Sequence, residues 1–146
     1  MTDLVLVASL AGQGIAIRAE DVVSVTEIRS LVAVPHAPAR IAGLAALRSQ
    51  VLTVIDCALS AGLDRPSQPE RNARAVIVER DEQIYALMVD DIADVTSTLS
   101  DDLPLPSHID EGWKAVSGGL VETGAGLMLL IDVDAMILGA PLSRAA

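Results

Sequence analysis

From Leu4 the chain alternates, with Leu4, Leu6, Ala8 and Leu10 on one face and Val5 and Val7 on the other. Alternation of this kind predicts a half-buried strand, because successive side chains in an extended chain point to opposite faces. Ala11–Gly14 supply a turn and Ile15-Ala16-Ile17-Arg18 resume the pattern, so the opening reads as a β-hairpin. A short helical turn over Ala19–Val22 and a strand over Val23–Ile28 follow. Pro35 and Pro38 force an extended loop. Strands are predicted at Gly43–Arg48 and Val51–Ile55 around a Ser49-Gln50 turn, and Asp56 caps a short helix, Cys57–Ala61, that stops at Gly62. Asp64–Asn72, with Pro66 and Pro69, reads as a linker. Strands are then predicted at Ala75–Glu79, Ile84–Val89, Ile92–Thr98, near Trp113–Val121 and at Leu127–Ile131. Asp132 opens a terminal helix, Val133–Leu138.

The pattern runs twice. Gly43-Leu44 precedes Ile55-Asp56, and Gly119-Leu120 precedes Ile131-Asp132, each pair lying 76 residues after its counterpart. Val22-Val23-Ser24-Val25-Thr26 matches Ile92-Ala93-Asp94-Val95-Thr96 at an offset of 70. Each half also sets a proline loop with a histidine before its glycine, Val34-Pro35-His36 and Leu105-Pro106-Ser107-His108. Two copies of a strand-rich unit imply a pseudo-repeated two-barrel protein. The chain reads as a single domain, 1–146, with approximate subdomains at 15–63 and 73–140. Residues 1–10 or the C-terminal segment complete the barrels.

Composition sharpens this without changing it. The chain is 51% hydrophobic yet has no Phe and a single Trp and Tyr, leaving the core to Val, Leu, Ile and Ala, the branched types that suit strands. Its longest uncharged stretch, Leu4–Ile17, is too short to span a bilayer, and Asp3 stands where a signal peptide carries basic residues. A net charge of −10 argues against nucleic acid or anionic lipid as partners, and the lone Cys57 leaves no internal disulfide.

Catalytic chemistry is hard to find. His36 and His108 lack neighbours with metal-ligand spacing, so no metal is expected. Asp90-Asp91 and Asp101-Asp102 are adjacent pairs, and on a strand adjacent side chains diverge. The glycines of Ser117-Gly118-Gly119 and Gly124-Ala125-Gly126 lack a phosphate-loop lysine, and Cys57 lacks an activating base. Binding is favoured over catalysis, with no cofactor, because small barrels leave apolar surface over.

Five pieces in order then resemble the CheW-like family over Leu4 to about Leu138. They are Val25-Thr26-Glu27-Ile28-Arg29; Val34-Pro35-x-x-Pro38; Gly43-x-x-x-Leu47-Arg48 with Val51-x-x-Val54-Ile55-Asp56; Val89-Asp90-x-Ile92-x-x-Val95; and Leu130-Ile131-Asp132-Val133. The resemblance implies an all-β fold of two five-stranded SH3-like barrels with short helices, one of them C-terminal. It implies a non-enzymatic cytoplasmic adaptor at receptor arrays, coupling chemoreceptor tips to the regulatory domain of the histidine kinase CheA. By motif position, Val25, Glu27, Gly43 and Arg48 fall where the family contacts receptor or kinase. Val89 and Ile92 fall on the second-barrel side of a groove for a receptor helix, and a Glu27–Arg48 ion pair is expected to fix the local surface. Members commonly carry Arg-Gly at Arg48-Ser49, proline at Thr53 and Leu-Arg at Cys57-Ala58. These departures leave open a scaffold of another phosphorelay or a competitor of the ordinary adaptor. Other classes are a small carboxylate-dependent hydrolase and a chain that only self-associates.

Overall fold

The computed structural model describes residues 3–66 and 74–139. Among these residues ten strands form two five-stranded sheets. They are β1 (Leu4–Leu10), β2 (Gln13–Arg18), β3 (Ser24–Glu27), β4 (Ile41–Leu47), β5 (Gln50–Asp56), β6 (Arg74–Arg80), β7 (Gln83–Met88), β8 (Asp91–Ser97), β9 (Ser117–Thr123) and β10 (Gly126–Ile131). Three short α-helices accompany them among the described residues: α1 (Cys57–Ser60), α2 (Glu111–Val116) and α3 (Val133–Leu138). One sheet runs β8-β1-β2-β10-β9 and the other β3-β6-β7-β5-β4. Replacing each strand of the second by its repeat mate gives the first, so the repeat legible in the sequence is a repeat of topology.

The strands do not divide between the sheets at the middle of the chain. β3–β7 make one sheet without interruption, whereas the other joins the opening hairpin β1–β2 to β8–β10. The subdomains expected at 15–63 and 73–140 therefore each lend strands to both sheets. The physical reason is pairing: β10 runs parallel beside β2 (Leu129↔Ile15), as β7 runs parallel beside β5 (Val54↔Ala86). Most of the linker read over Asp64–Asn72 lies outside the described residues.

Each sheet turns on the same device. A bulge interrupts the β4–β5 ladder between Ile41 and Gly43, and another interrupts β9–β10 between Leu130 and Ile131. At the two bulges Gly43 and Gly119 have φ of +154° and +155°. A side chain there would strike backbone: a Cβ on Gly43 would lie 2.6 Å from the Val32 carbonyl oxygen, and one on Gly119 2.7 Å from that of Leu103. Those close approaches are the bridges Val32↔Leu44 and Leu103↔Leu120, which bring the proline loops against β4 and β9. Both Ile-Asp pairs end a strand and cap a helix. The Asp56 carboxylate accepts from Leu59 N at 3.2 Å and the Asp132 carboxylate from Ala135 N at 3.1 Å.

One predicted element is different. Trp113–Val116, expected as strand, is the end of α2. Asp110 sits at its N-cap and accepts from Gly112 N at 2.9 Å, with Glu111 favourably placed in the first turn. The strand starts only at Ser117.

The core has three parts. Val5, Val7, Ala16, Val121, Met128 and Leu130 fill one barrel, and Leu52, Val54, Ala75, Ile77 and Ala86 fill the other. The largest cluster lies on the seam between them, where Leu6, Leu10, Ile15 and Ile17 meet Val76, Val78, Leu87 and the helix residues Cys57, Val133 and Met136. Apolar side chains on both faces of a strand explain why four consecutive residues are buried in β1 and again in β6.

A candidate partner groove on the open side of the second barrel

The sheets close differently along their edge strands. In the first, Thr98 bridges Thr123 and Leu99 N donates to Glu122 O at 2.8 Å, stitching the end of β8 to β9. The matching positions in the second are Ile28 and Leu47, and no bridge joins them among the described residues. The space left between β3 and β4 is a pair of adjoining grooves that share Val25, Thr26 and Leu47. One, of about 360 Å³, is lined by Val23, Arg48, Leu52, Ile77 and Ile84 among others. The other, of about 460 Å³, follows Glu27–Ser30 beside Ala45 and Ala46.

Three expected site residues therefore come together. Val25, half-buried, is shared by both grooves, Glu27 lines one and Arg48 the other. The expected ion pair between Glu27 and Arg48 is not formed. Glu27 Oε2 takes Arg29 Nη2 at 3.3 Å instead, and Arg48 makes no ion pair among the described residues. The hairpin turn is the cause: it consists of Arg48-Ser49 (φ +50° and +70°), not Ser49-Gln50, and Gln50 pairs with Leu47 inside the ladder. Arg48 thus stands out on the turn, exposed and free to meet a partner's acid.

The other three residues act differently. Gly43 is buried and its part is the backbone approach to Val32. Val89 and Ile92, expected on a groove wall, are 1% and 7% exposed and belong to the seam core. Their side chains cannot be touched from outside. The exposed apolar residues on β1 and β8 are Leu4 and Val95, further along the edge: Val95 is paired with Leu6, two residues from Leu4, while Ile92 is paired with Ala8. Sequence reading also passed over Leu47, Ile84 and Val23, which line the groove. Nothing in their local pattern sets them apart from ordinary core positions, because the groove exists only through the unclosed edge.

Other candidate chemistry is dispersed. Asp90 Oδ2 accepts from Ala11 N at 2.9 Å, tying the β7–β8 connection to the first hairpin, and Asp102 pairs with Arg18, so one aspartate of each adjacent pair makes a structural contact of its own. His36 and His108 are exposed, and no group of His, Cys, Asp or Glu among the described residues is arranged to hold a metal. Burial, with the neighbouring Asp56 charge adding to it, pushes the Cys57 thiol far up, which leaves it an inert core residue. No helix among the described residues is long and apolar enough to cross a membrane.

Charge is unevenly shared. Residues 3–21 and 90–139, on the side of the first sheet, carry thirteen acids and two bases, whereas 22–66 and 74–89 carry six of each. The groove lies on the balanced side, so the acidity of the whole chain does not repel an acidic partner there.

Comparison with known proteins agrees with this architecture. In the solved structure of the scaffolding protein TtCheW from Thermoanaerobacter tengcongensis the fold is shared at a TM-score of 0.78, with 24% identity over 91% of this chain and 86% of that one. The probable chemotaxis protein CheW of Rhizobium etli is 27% identical over 121 residues, covering 80% of this chain and 77% of the relative. The chemotaxis protein CheW of Rhizobium meliloti is 22% identical over 120 residues, with the same coverage. The family model described as CheW-like domain matches residues 4–139, and the chain belongs to that family.

Proposed function

We propose that this protein is a non-enzymatic cytoplasmic scaffold of chemotaxis signalling, binding the regulatory domain of the histidine kinase CheA and the tips of chemoreceptors. The observation that carries the reading is the unclosed β3–β4 edge, with Val25 in its wall, Glu27 at its margin and the exposed Arg48 above it. An open apolar edge flanked by charge suits a protein partner: apolar contact supplies affinity, and the rim charges set orientation. Gly43 supports this surface from behind by holding the proline loop against β4. For the receptor, the exposed Leu4 and Val95, which flank the buried Leu6 on β1 and β8, take the contact, while Val89 and Ile92 pack the seam core further along the same edge. An apolar helix face laid along such a margin is a common mode of recognition.

The test is calorimetric titration of the protein against the kinase regulatory domain from the same organism, beside an Arg48→Glu variant. Micromolar binding, weakened about ten-fold or more by the charge reversal, is the expected result, because a glutamate set against a partner's acid adds like-charge repulsion to the lost contact. A folded protein that does not bind ends the CheA coupling role and directs attention to another phosphorelay kinase.

A further inference from the structure

Helix α3 belongs by connectivity to the first barrel, since it follows β10, yet three of its contacts run to the second. Arg80 Nε, at the end of β6, donates to Asp134 Oδ1 at 2.7 Å. Arg40 Nε, just before β4, donates to the Ile137 carbonyl at 3.1 Å, and Ser60 Oγ of α1 donates to the Met136 carbonyl. Arg80 has a second hold: its Nη2 donates to Asp21 Oδ1 at 2.9 Å, in the 3-10 turn Ala19–Asp21 that carries the chain from one barrel to the other. A single guanidinium so grips two elements that join the barrels.

The repeat supplies a control within the molecule. At an offset of 76, Arg40 corresponds to Val116 and Ser60 to Met136; by the matched ladders, Arg80 corresponds to Leu10. None of the three counterparts can donate a side-chain hydrogen bond of this kind. The α3 contacts are therefore not a requirement of the repeated fold, which stands without them on its other side. We propose that α3 is a releasable clasp between the two barrels, with Arg80 as the residue that positions it. The two arms are unequal. The Arg80 and Asp21 side chains are 31% and 25% exposed, but that of Asp134 is 70% exposed, so the clasp opens at Asp134 while Arg80 stays on Asp21. Although burial alone lowers it, the Arg80 pKa is raised by its hydrogen bonds to Asp21 and Asp134 and by their charges, as a guanidinium held by two carboxylates should be. Release frees Val133 and Met136 from the seam cluster and bares the apolar face of α1, where Cys57 lies.

Hydrogen exchange on the full chain tests this with no partner present, so its outcome is separate from that of the scaffold reading. In Arg80→Met and in Asp134→Asn, amides of 133–139 should exchange about five-fold faster, the scale of one such ion pair, with strand amides unchanged. Labelling of Cys57 by a thiol reagent should quicken in parallel. Unchanged exchange in α3, or acceleration shared equally by the strands, overturns the clasp. Asp134→Asn changes an exposed side chain, and it decides the matter if Arg80→Met does not fold.

Discussion

Gly43 and Gly119 occupy the same place in the two barrels, and each has a positive φ with a carbonyl oxygen pressed against its missing side chain. The obstacle is backbone, which cannot rotate away as a flexible side chain would. Gly43→Ala should lower stability by about 2–3 kcal/mol, combining backbone strain with the displaced Val32 carbonyl. Urea denaturation checks this, and Gly119→Ala should match it, because the device is the same. An alanine accepted at either position with less than half that loss would show that the bulge relaxes freely. The sequence did mark both glycines, by their shared spacing, but not the reason. A positive φ is set by where the proline loop returns, and that is a contact between residues distant in sequence. Val89 and Ile92 illustrate the opposite failure: an apolar residue on or just before an edge strand reads alike whether it faces a partner or the seam.

Among the elements, the β4–β5 hairpin shows how a small departure in chemistry acts on a strand pair. Its two turn residues, Arg48 and Ser49, both have positive φ, the geometry of a two-residue turn that matches the twist of the strands. The β6–β7 hairpin does the same with Asp81 and Glu82. A non-glycine residue pays for this conformation, so Ser49→Gly should stabilise the protein by about 0.5–1 kcal/mol, raising the urea midpoint with an unchanged slope. A lower midpoint would mean that the serine hydroxyl contributes something the turn geometry does not require. Strands and caps were legible here because alternation and an Asp before a short apolar run are local signals. The helix α2 was not, since Trp113–Val116, apolar but for Lys114, is short enough to pass as the start of β9, and only the Asp110 cap distinguishes it.

At the scale of the molecule, the barrels interleave. The second is one continuous stretch, β3–β7, while the first is assembled from both ends of the chain. A chain cut between residues 66 and 74 should therefore keep its two pieces bound, eluting as one species on size exclusion, because β6 and β7 pair with β3 and β5 across the cut. Each piece alone should be unfolded by circular dichroism, since neither holds a full barrel; a folded single piece would contradict the interleaving. The repeat could be read from spacing, and with it the two-barrel architecture. Which strands share a barrel could not, because strand pairing is a long-range choice that leaves no periodicity behind. The groove shares that limit: Val25, Glu27 and Arg48 could be named, but the open edge that unites them is an absence of pairing.

The same interleaving sets an order of events during synthesis. Once residue 88 has left the ribosome, β3–β7 are all available and the second barrel can close. In the hairpin β1–β2, made first, β1 gains β8 soon afterwards, but the open edge of β2 has no partner until β10 emerges some forty residues later, and through that interval Val5, Val7 and Ala16 lack the Val121, Met128 and Leu130 that complete their cluster. The earliest-made part of the protein is thus the last to be buried. It is there that a chaperone would be needed and a stalled or truncated chain would aggregate.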